Sequence, residues 1–232
     1  GQAYKDEKEA YQKARSAAQL KPWRNRVLSD GYEPGSTFKV LTMAAALDCG
    51  AIDLQSGFYC KGSEHIPGRS QLLHCWRSTG HGSEQTPQAL QNSCNLAFAH
   101  IALKLGGERF YEYVEKFGIL EKTGIDLAGE SKGVFFSKEL VVDTDKWGTA
   151  SLTSGSFGQT FNITPIQLIT ASAAAVNGGN LVKPYVVSQI LDSNNNVIKS
   201  TQTTVKRQVI SEETSKKVRT MMQAVVEEGG AK

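Results

Sequence analysis

Ser36 and Lys39 are two residues whose types and spacing suit a nucleophile and its base. They lie in residues 32–39 (YEPGSTFK), where Pro34 and Gly35 interrupt any earlier helix before a run of good helix formers begins. Three residues apart on a helix, the two side chains share one face, and a buried lysine amine can lose its proton near neutral pH. Alone, this short pattern favours a structural explanation, with Ser36 as an N-cap and Lys39 as a solvated helix residue.

Ser93 and Asn95 supply a second hydroxyl and an amide, 57 and 59 residues beyond Ser36. Serine and asparagine at this spacing are common, and residues 193–195 (SNN) repeat the pattern in what reads as a polar turn. For Cys94, between the two, a small semi-buried filler is the favoured interpretation over a role for its thiol.

Several segments carry the spacing and end signals of helices that must position these side chains. Residues 85–105 read as one helix with Ser93 near its middle, or as two helices that break there. Residues 107–117 repeat apolar side chains at helical spacing, which predicts a stripe that packs on the core. Residues 164–176 open with a favourable cap and a proline, and residues 211–228 open with a capping serine.

The other segments are less regular. Residues 181–204 alternate apolar and polar side chains around a polar stretch, which predicts a hairpin. Residues 50–82 and 119–146 are expected to be irregular and rich in loops. Residues 1–22 are charged and rich in alanine, so we expect one exposed helix there, and residues 229–232 (GGAK) read as a flexible linker.

Cys60, Cys75 and His81 lie within 22 residues and are a candidate metal site, with His65 and His74 nearby. Two thiolates, an imidazole and a fourth ligand suit tetrahedral zinc, although the spacing is not that of a standard zinc finger. Two alternatives remain open. The cysteines can form a disulfide, or they can be buried and inert with His81 in a structural turn.

Composition argues against nucleic-acid binding and against a membrane span within this sequence. The chain has 232 residues, enough for one large domain or two subdomains, and a net charge of +3. That charge is mild and no stripe of lysine and arginine accompanies it, which argues against nucleic acid as a partner. No apolar run reaches the roughly 20 residues of a membrane span, and no signal peptide opens the sequence.

Six blocks of sequence, taken together and in order, resemble the transpeptidase domain of class B penicillin-binding proteins, with a match from about Trp23 to Gly230. These proteins are the monofunctional enzymes that cross-link peptidoglycan in division and sporulation. The blocks are residues 23–26 (WRNR), 32–39 (YEPGSTFK), 80–82 (GHG), 91–95 (QNSCN), 156–159 (SFGQ) and 164–168 (TPIQL).

The resemblance implies a mechanism. Ser36 would attack the carbonyl of the penultimate D-Ala of a stem peptide, and neutral Lys39 would take its proton. Ser93 would relay a proton to the leaving amine, and Asn95 would hold either Lys39 or the substrate amide. One oxyanion donor would be the Ser36 backbone amide, and β-lactams would acylate the same serine. No cofactor is implied for this chemistry, and a structural zinc at the cysteines stays one of the three open interpretations of that cluster.

The resemblance also implies a mixed fold of helices and strands, α/β (α+β). This is the transpeptidase fold that penicillin-binding proteins share with β-lactamases, and we expect this chain to be rich in helix with few sheet strands. We expect residues 1–22 to be a separate charged segment and residues 23–232 to be a partial transpeptidase domain with a helical subdomain at about 40–165. Residues 122–124 spell Lys-Thr-Gly, but they follow a helix, so we expect the active-site strand motif of that spelling to lie beyond Lys232.

A parent protein of this kind would work at the outer face of the cell membrane, held by an anchor outside this chain, with division or sporulation cell-wall machinery as partners. Two alternatives stay open. One is a β-lactamase or β-lactam sensor that uses the same serine and lysine. The other is a non-catalytic or truncated penicillin-binding module.

Overall fold

The computed structural model describes residues 2–20, 23–143 and 148–229. The first and last residues of the expected 1–22 segment, part of the loop-rich 119–146 stretch and most of the 229–232 linker therefore lie outside the described residues. None of the described helices combines the length and the apolar character that crossing a bilayer requires.

Helices supply most of the regular structure, as the sequence predicts. A short 3₁₀ turn at Gly35–Phe38 leads directly into the third α-helix. The described α-helices are α1 Gln2–Leu20, α2 Arg26–Ser29, α3 Lys39–Asp48, α4 Thr86–Gln91, α5 Asn95–Leu105, α6 Gly107–Lys116, α7 Lys138–Val142, α8 Gly148–Ser156, α9 Pro165–Val176 and α10 Glu212–Glu227.

The described strands form four antiparallel pairs of two strands each. They pair as β1 with β4, β2 with β3, β5 with β8, and β6 with β7. Their bounds are β1 Gly57–Cys60, β2 Ser63–Glu64, β3 Leu73–His74, β4 Gly82–Gln85, β5 Asn180–Lys183, β6 Gln189–Leu191, β7 Val197–Ser200 and β8 Thr204–Gln208.

The predicted helix signals are confirmed at several points. The chain breaks between α4 and α5, so the two-helix interpretation of residues 85–105 is correct. Thr164 caps α9 through a reciprocal pair of hydrogen bonds with Gln167, and Ser211 caps α10. The hairpin is also present, with its turn between β6 and β7.

The expectation that residues 50–82 are irregular is wrong in part. This stretch contributes β1, β2 and β3, and β4 begins at its last residue. The strands are only two to four residues long, which is too short for the apolar alternation that would reveal them in sequence. Pairing between distant segments decides their conformation.

The centre of the core is α3, which packs against α5, α6, α9 and α10. Met43, Ala44 and Ala46 on this helix are completely buried. Their neighbours include α6, whose predicted stripe of Phe110, Tyr113, Val114 and Phe117 is buried. Small side chains on α3 let the surrounding helices approach closely, so the position of its first residue, Lys39, is strongly constrained.

Residues 156–159 hold the 3₁₀ turn in place. The Gly35 amide donates to the Gly158 carbonyl at 2.8 Å, and the Thr42 hydroxyl on α3 donates to the Ser156 carbonyl at 2.8 Å. Gly158 has a φ of +80°, and a Cβ atom added there would lie 2.1 Å from the Gly35 carbonyl oxygen. The position therefore accepts only glycine without moving the turn that carries Ser36.

Gly158→Ala is expected to destabilise the protein more than Gly129→Ala does. Both residues have positive φ, +80° and +86°, but a Cβ at Gly129 meets nothing within 4 Å. The positive φ costs about 1 to 2 kcal/mol in either variant, and the steric overlap at Gly158 adds about 1 to 3 kcal/mol. Urea unfolding of the two variants measures the difference, and equal losses would contradict the close contact.

Candidate active site

Ser36 and Lys39 lie together, as their spacing predicts. Ser36 is the second residue of the 3₁₀ turn and Lys39 is the first residue of α3. The Lys39 Nζ atom is 3.2 Å from the Ser36 Oγ atom. The backbone N–H of Ser36 is at the start of the turn, where amides have no acceptor within the helix, so it can serve a bound ligand.

Lys39 is a buried amine, with only 1% of its surface exposed. Its Nζ atom lies 2.6 Å from the Ser93 carbonyl oxygen, 2.9 Å from the Ser93 Oγ atom and 2.8 Å from the Asn95 Oδ1 atom. Burial lowers the pKa of Lys39 to about 8, although the nearby thiols of Cys75 and Cys94 oppose this effect. The alternative of a solvated helix lysine is therefore wrong.

The four oxygen atoms around Lys39 determine which hydrogen bonds its neutral amine can make. The Ser93 carbonyl and the Asn95 Oδ1 atom can only accept hydrogen bonds, so they take the two N–H bonds of a neutral amine. The lone pair then remains for a hydroxyl proton from Ser36 or Ser93. The site can thus hold a deprotonated lysine without leaving a buried acceptor unpaired.

Ser93 occupies the break between α4 and α5 with a φ of +49°, a left-handed conformation that is uncommon for serine. The residues beside it hold this conformation. Asn92 accepts a hydrogen bond on its carbonyl from the Trp76 indole at 2.9 Å and donates through its side chain to Glu84 at 2.7 Å. Cys94 caps α5 by accepting from the Ala97 amide. The break therefore aims both Ser93 and Asn95 at Lys39.

A cleft of about 770 Å³ opens over these residues. Ser36, Lys39, Ser93 and Asn95 all line it, so the structure brings together the four residues expected from the sequence. Phe157 and Gln159 form one wall, and Met222 and Val225 of α10 contribute apolar surface. Such a cleft is large enough for a short peptide or a drug-sized molecule.

Trp76 and Arg77 also line the cleft, and sequence reasoning did not single them out. No motif marks them, because an exposed tryptophan next to an arginine has no characteristic spacing. Their place follows from the packing of a loop against the break between α4 and α5.

Residues 122–124 do not line the cleft, as expected for a Lys-Thr-Gly sequence without a catalytic role. The Thr123 amide and hydroxyl both donate to the Glu130 carboxylate at 2.6 Å, and the Gly124 amide donates to it at 3.1 Å. These contacts describe a local turn held by one carboxylate.

The predicted metal ligands Cys60, Cys75 and His81 also lie together, and Cys94 joins them. The three thiols and an imidazole nitrogen are within 4.8 Å of one another. All four cysteines of the chain are free thiols, so the structure does not hold the disulfide alternative. The interpretation of Cys94 as a filler is incomplete, since its sequence distance from the other ligands gave no signal of the contact.

The pKa values of two cysteines in this Cys–His cluster are shifted in opposite directions. Burial raises the pKa of Cys75, but hydrogen bonds from the Arg77 and Asn95 amides and from the other thiols outweigh that effect and lower it. Burial raises the pKa of Cys94. The His81 Nε2 atom is buried without a hydrogen-bond partner, while Nδ1 lies 3.7 Å from the Cys75 sulfur.

Comparison with known proteins covers nearly the whole chain. The family model described as "Penicillin binding protein transpeptidase domain" matches residues 2–232. Stage V sporulation protein D of Bacillus subtilis is 42% identical over 208 residues, which are 89% of this chain and 31% of that protein. The peptidoglycan D,D-transpeptidase MrdA of Acinetobacter baumannii is 34% identical over 169 residues, 72% of this chain and 25% of that protein.

Solved structures of transpeptidase domains and penicillin-binding proteins have a similar fold. The D,D-transpeptidase domain of a peptidoglycan glycosyltransferase from Eggerthella lenta superposes with a TM-score of 0.83 at 22% identity, over 93% of this chain and 55% of that one, which supports the fold alone. Penicillin-binding protein 3 from Mycobacterium tuberculosis, complexed with aztreonam, gives a TM-score of 0.75 at 25% identity, over 89% and 44%.

The chain spans about a third or less of the length of these curated relatives. Its mixed helix and strand architecture matches that of the related domains, as the sequence predicts. Because the family model covers almost every residue, the chain belongs to the penicillin-binding protein transpeptidase domain family.

Proposed function

We propose that the parent protein is a peptidoglycan D,D-transpeptidase and that Ser36 is its nucleophile. The observation that carries this proposal is the buried Lys39 amine, which lies 3.2 Å from the Ser36 hydroxyl and has a pKa of about 8. A hydroxyl beside an amine that is partly neutral at physiological pH is an activated nucleophile. The names of the curated relatives support the same reaction.

The first half of the reaction forms an acyl-enzyme. Neutral Lys39 accepts the Ser36 proton while Ser36 Oγ bonds to the carbonyl carbon of the penultimate D-Ala. The carbon–nitrogen bond then breaks, and the leaving D-Ala amine takes a proton through Ser93, whose hydroxyl is 2.9 Å from Lys39. Asn95 accepts from Lys39, which supports a role in holding the amine rather than the substrate amide.

The second half resolves the ester. The amine of a neighbouring stem peptide attacks the acyl carbon and gives a proton to Lys39, which is neutral again after the first half. The bond to Ser36 then breaks, and Lys39 passes that proton to the serine oxygen. The Ser36 amide supplies one oxyanion donor. The family resemblance assigns the second donor to the strand that bears the Lys-Thr-Gly motif, which residues 122–124 do not form.

The substrate determines where the parent protein works. Stem peptides lie outside the cytoplasmic membrane, so we place the catalytic domain on that face, with an anchor in a part of the protein outside this chain. The relative at 42% identity is named for sporulation and another is named an FtsI homologue. These names support sporulation or division cell-wall machinery as partners.

Incubation with benzylpenicillin is expected to add one penicillin mass to the chain at Ser36. Intact mass spectrometry should show the adduct on the wild type and on Ser193→Ala, which alters the unrelated Ser-x-Asn at an exposed turn. Ser36→Ala should show none. An adduct that persists in Ser36→Ala, or a wild type that never acylates, would contradict the assignment of a competent nucleophile.

The lifetime of this adduct separates a transpeptidase from a β-lactamase. Among the described residues that line the cleft, none is an aspartate or a glutamate that could activate water for deacylation. We therefore expect the adduct to survive for hours. Rapid turnover of a chromogenic cephalosporin would instead favour the hydrolytic alternative, and failure of every penicillin to react would favour the non-catalytic one.

The acylation rate is expected to rise with pH up to about 8 and then to level off. Lys39 must be neutral to accept the Ser36 proton, and its pKa is about 8, so each pH unit below that value lowers the neutral fraction about tenfold. Rate constants for benzylpenicillin between pH 6 and 9.5 measure the profile. Lys39→Arg keeps a permanent charge and should abolish acylation at every pH, whereas a flat wild-type profile would rule out Lys39 as the base.

We also propose that Cys60, Cys75, His81 and Cys94 hold a structural zinc ion. Tetrahedral zinc with Zn–S bonds of about 2.3 Å separates its ligand atoms by roughly 3.8 Å, which agrees with a cluster whose ligand atoms all lie within 4.8 Å. Thiolate and imidazole ligands suit zinc, and four protein ligands leave no open position. The ion would therefore stabilise the fold and would take no part in acyl transfer.

The purified chain is expected to contain about one zinc ion per molecule. Cys60→Ser, Cys75→Ser or Cys94→Ser should lose it, because each removes a ligand, and should unfold at lower urea concentration. Cys49→Ser is the matched control, since Cys49 is a free cysteine outside the cluster. Elemental analysis of reduced protein measures the metal, and zinc-free wild type or full occupancy in the ligand variants would contradict the site.

A further inference from the structure

Trp76 and Arg77 project from the 75–80 loop and line the catalytic cleft, and neither has a role in the acyl-transfer steps described above. Trp76 is 67% exposed, which is unusual for so large an apolar ring. Arg77 is exposed as well. An aromatic ring and a guanidinium side by side in an open cleft are the kind of pair that recognises a ligand with an apolar and an anionic part.

The backbone that carries this pair is held at several points. The Arg77 carbonyl accepts from the Gly80 amide at 3.0 Å, and the Cys75 amide donates to the Gly62 carbonyl at 2.8 Å. A Cβ atom added at Gly80 would lie 2.2 Å from the Cys60 carbonyl oxygen, so the two backbones touch. The loop is therefore preorganised before any ligand arrives.

The Trp76 ring is fixed as well. Its indole N–H donates to the Asn92 carbonyl at 2.9 Å, directly before Ser93, and its ring centre is 5.4 Å from that of His81. The exposed part of the ring lines the same cleft as Ser93. Arg77, the next residue, lines this cleft as well.

Among the described residues, none is a counter-ion for the charge of Arg77. The structure shows no carboxylate within ion-pair distance of its guanidinium in the described part of the chain, and its Nε atom makes only a long 3.4 Å contact with the Thr79 hydroxyl. None of the described residues that line the cleft is acidic. The guanidinium of Arg77 is thus an unused bidentate donor at the cleft, which favours an anionic ligand.

We propose that Trp76 and Arg77 form a specificity arm that binds a carboxylate of the acyl-donor peptide. This inference rests on the proposed function, because it takes a peptide ending in D-Ala-D-Ala as the donor. Such a peptide carries two carboxylates, one on each side of the bond that Ser36 attacks. One belongs to a third residue that is a diamino diacid such as diaminopimelate, and the other is the terminal carboxylate. Arg77 binds one of them while the Trp76 ring covers the adjacent methylene groups.

Binding of three synthetic pentapeptides to the full chain distinguishes these two sources. The parent peptide carries diaminopimelate at position three and a free carboxyl terminus. The second peptide replaces diaminopimelate by L-lysine, and the third amidates the terminus. All measurements use Ser36→Ala as the host, so that acylation does not consume the ligand, and calorimetry or the nuclear magnetic resonance signal of the Trp76 indole N–H reports the dissociation constant.

Arg77→Gln is expected to weaken binding of the parent peptide on the order of tenfold, and Arg77→Lys by less, because lysine keeps the charge but loses the planar pair of donors. One of the two altered peptides lacks the carboxylate that Arg77 binds. That peptide should bind the host and Arg77→Gln with equal affinity, and this result identifies the carboxylate. Arg109→Gln is the matched control, since Arg109 is an exposed arginine on α6 outside the cleft. Raising the salt concentration should weaken the host and leave Arg77→Gln nearly unchanged.

The inference is overturned if all three peptides bind the host with equal affinity, if none binds, or if Arg77→Gln and Arg109→Gln behave alike. Failure of the proposed function is a separate result. It appears as the absence of a penicillin adduct at Ser36, a reaction that does not require the peptide carboxylates. A chain that discriminates the peptides but forms no adduct would keep the specificity arm and contradict the assigned nucleophile.

Discussion

The burial of one amine governs the arrangement of this domain. Lys39 is 1% exposed, and moving its pKa from its ordinary value to about 8 corresponds to a net cost of about 3 kcal/mol for its charged form, with burial as the main cause. An amine is held in such a place only when oxygen atoms surround it. Ser36, Ser93 and Asn95 supply those atoms, so the same contacts satisfy the buried group and assemble the chemistry.

Three separate parts of the chain converge to make this arrangement rigid. The core around α3 fixes Lys39, and the close contact between Gly35 and Gly158 fixes the turn that carries Ser36. The break between α4 and α5 fixes Ser93, which keeps an uncommon positive φ because Asn92 and Cys94 on either side are both hydrogen-bonded. Strain of this kind is typical of a functional site, where the surroundings must enforce the conformation.

The Cys–His cluster connects the catalytic break to the loop of the specificity arm. Cys94 lies between Ser93 and Asn95, and Cys75 directly precedes Trp76. Both sulfurs belong to the same compact group, so an ion held there would link the break that carries Ser93 to the loop that carries Trp76. A structural metal near an active site acts in this way through the ligands it orients, even when it has no part in the reaction.

The sequence by itself indicated the four candidate site residues, because they occur in ordered blocks that carry the family resemblance, and the structure brings all four into one cleft. The sequence also determined the larger helices, since their caps and apolar stripes are local signals that tertiary packing preserved. Tertiary structure decided what depends on contacts between distant segments. Three features arise from such contacts, and no local pattern encodes them. They are the short strands of residues 57–85, the addition of Cys94 to the predicted metal ligands, and the placement of Trp76 and Arg77 in the cleft.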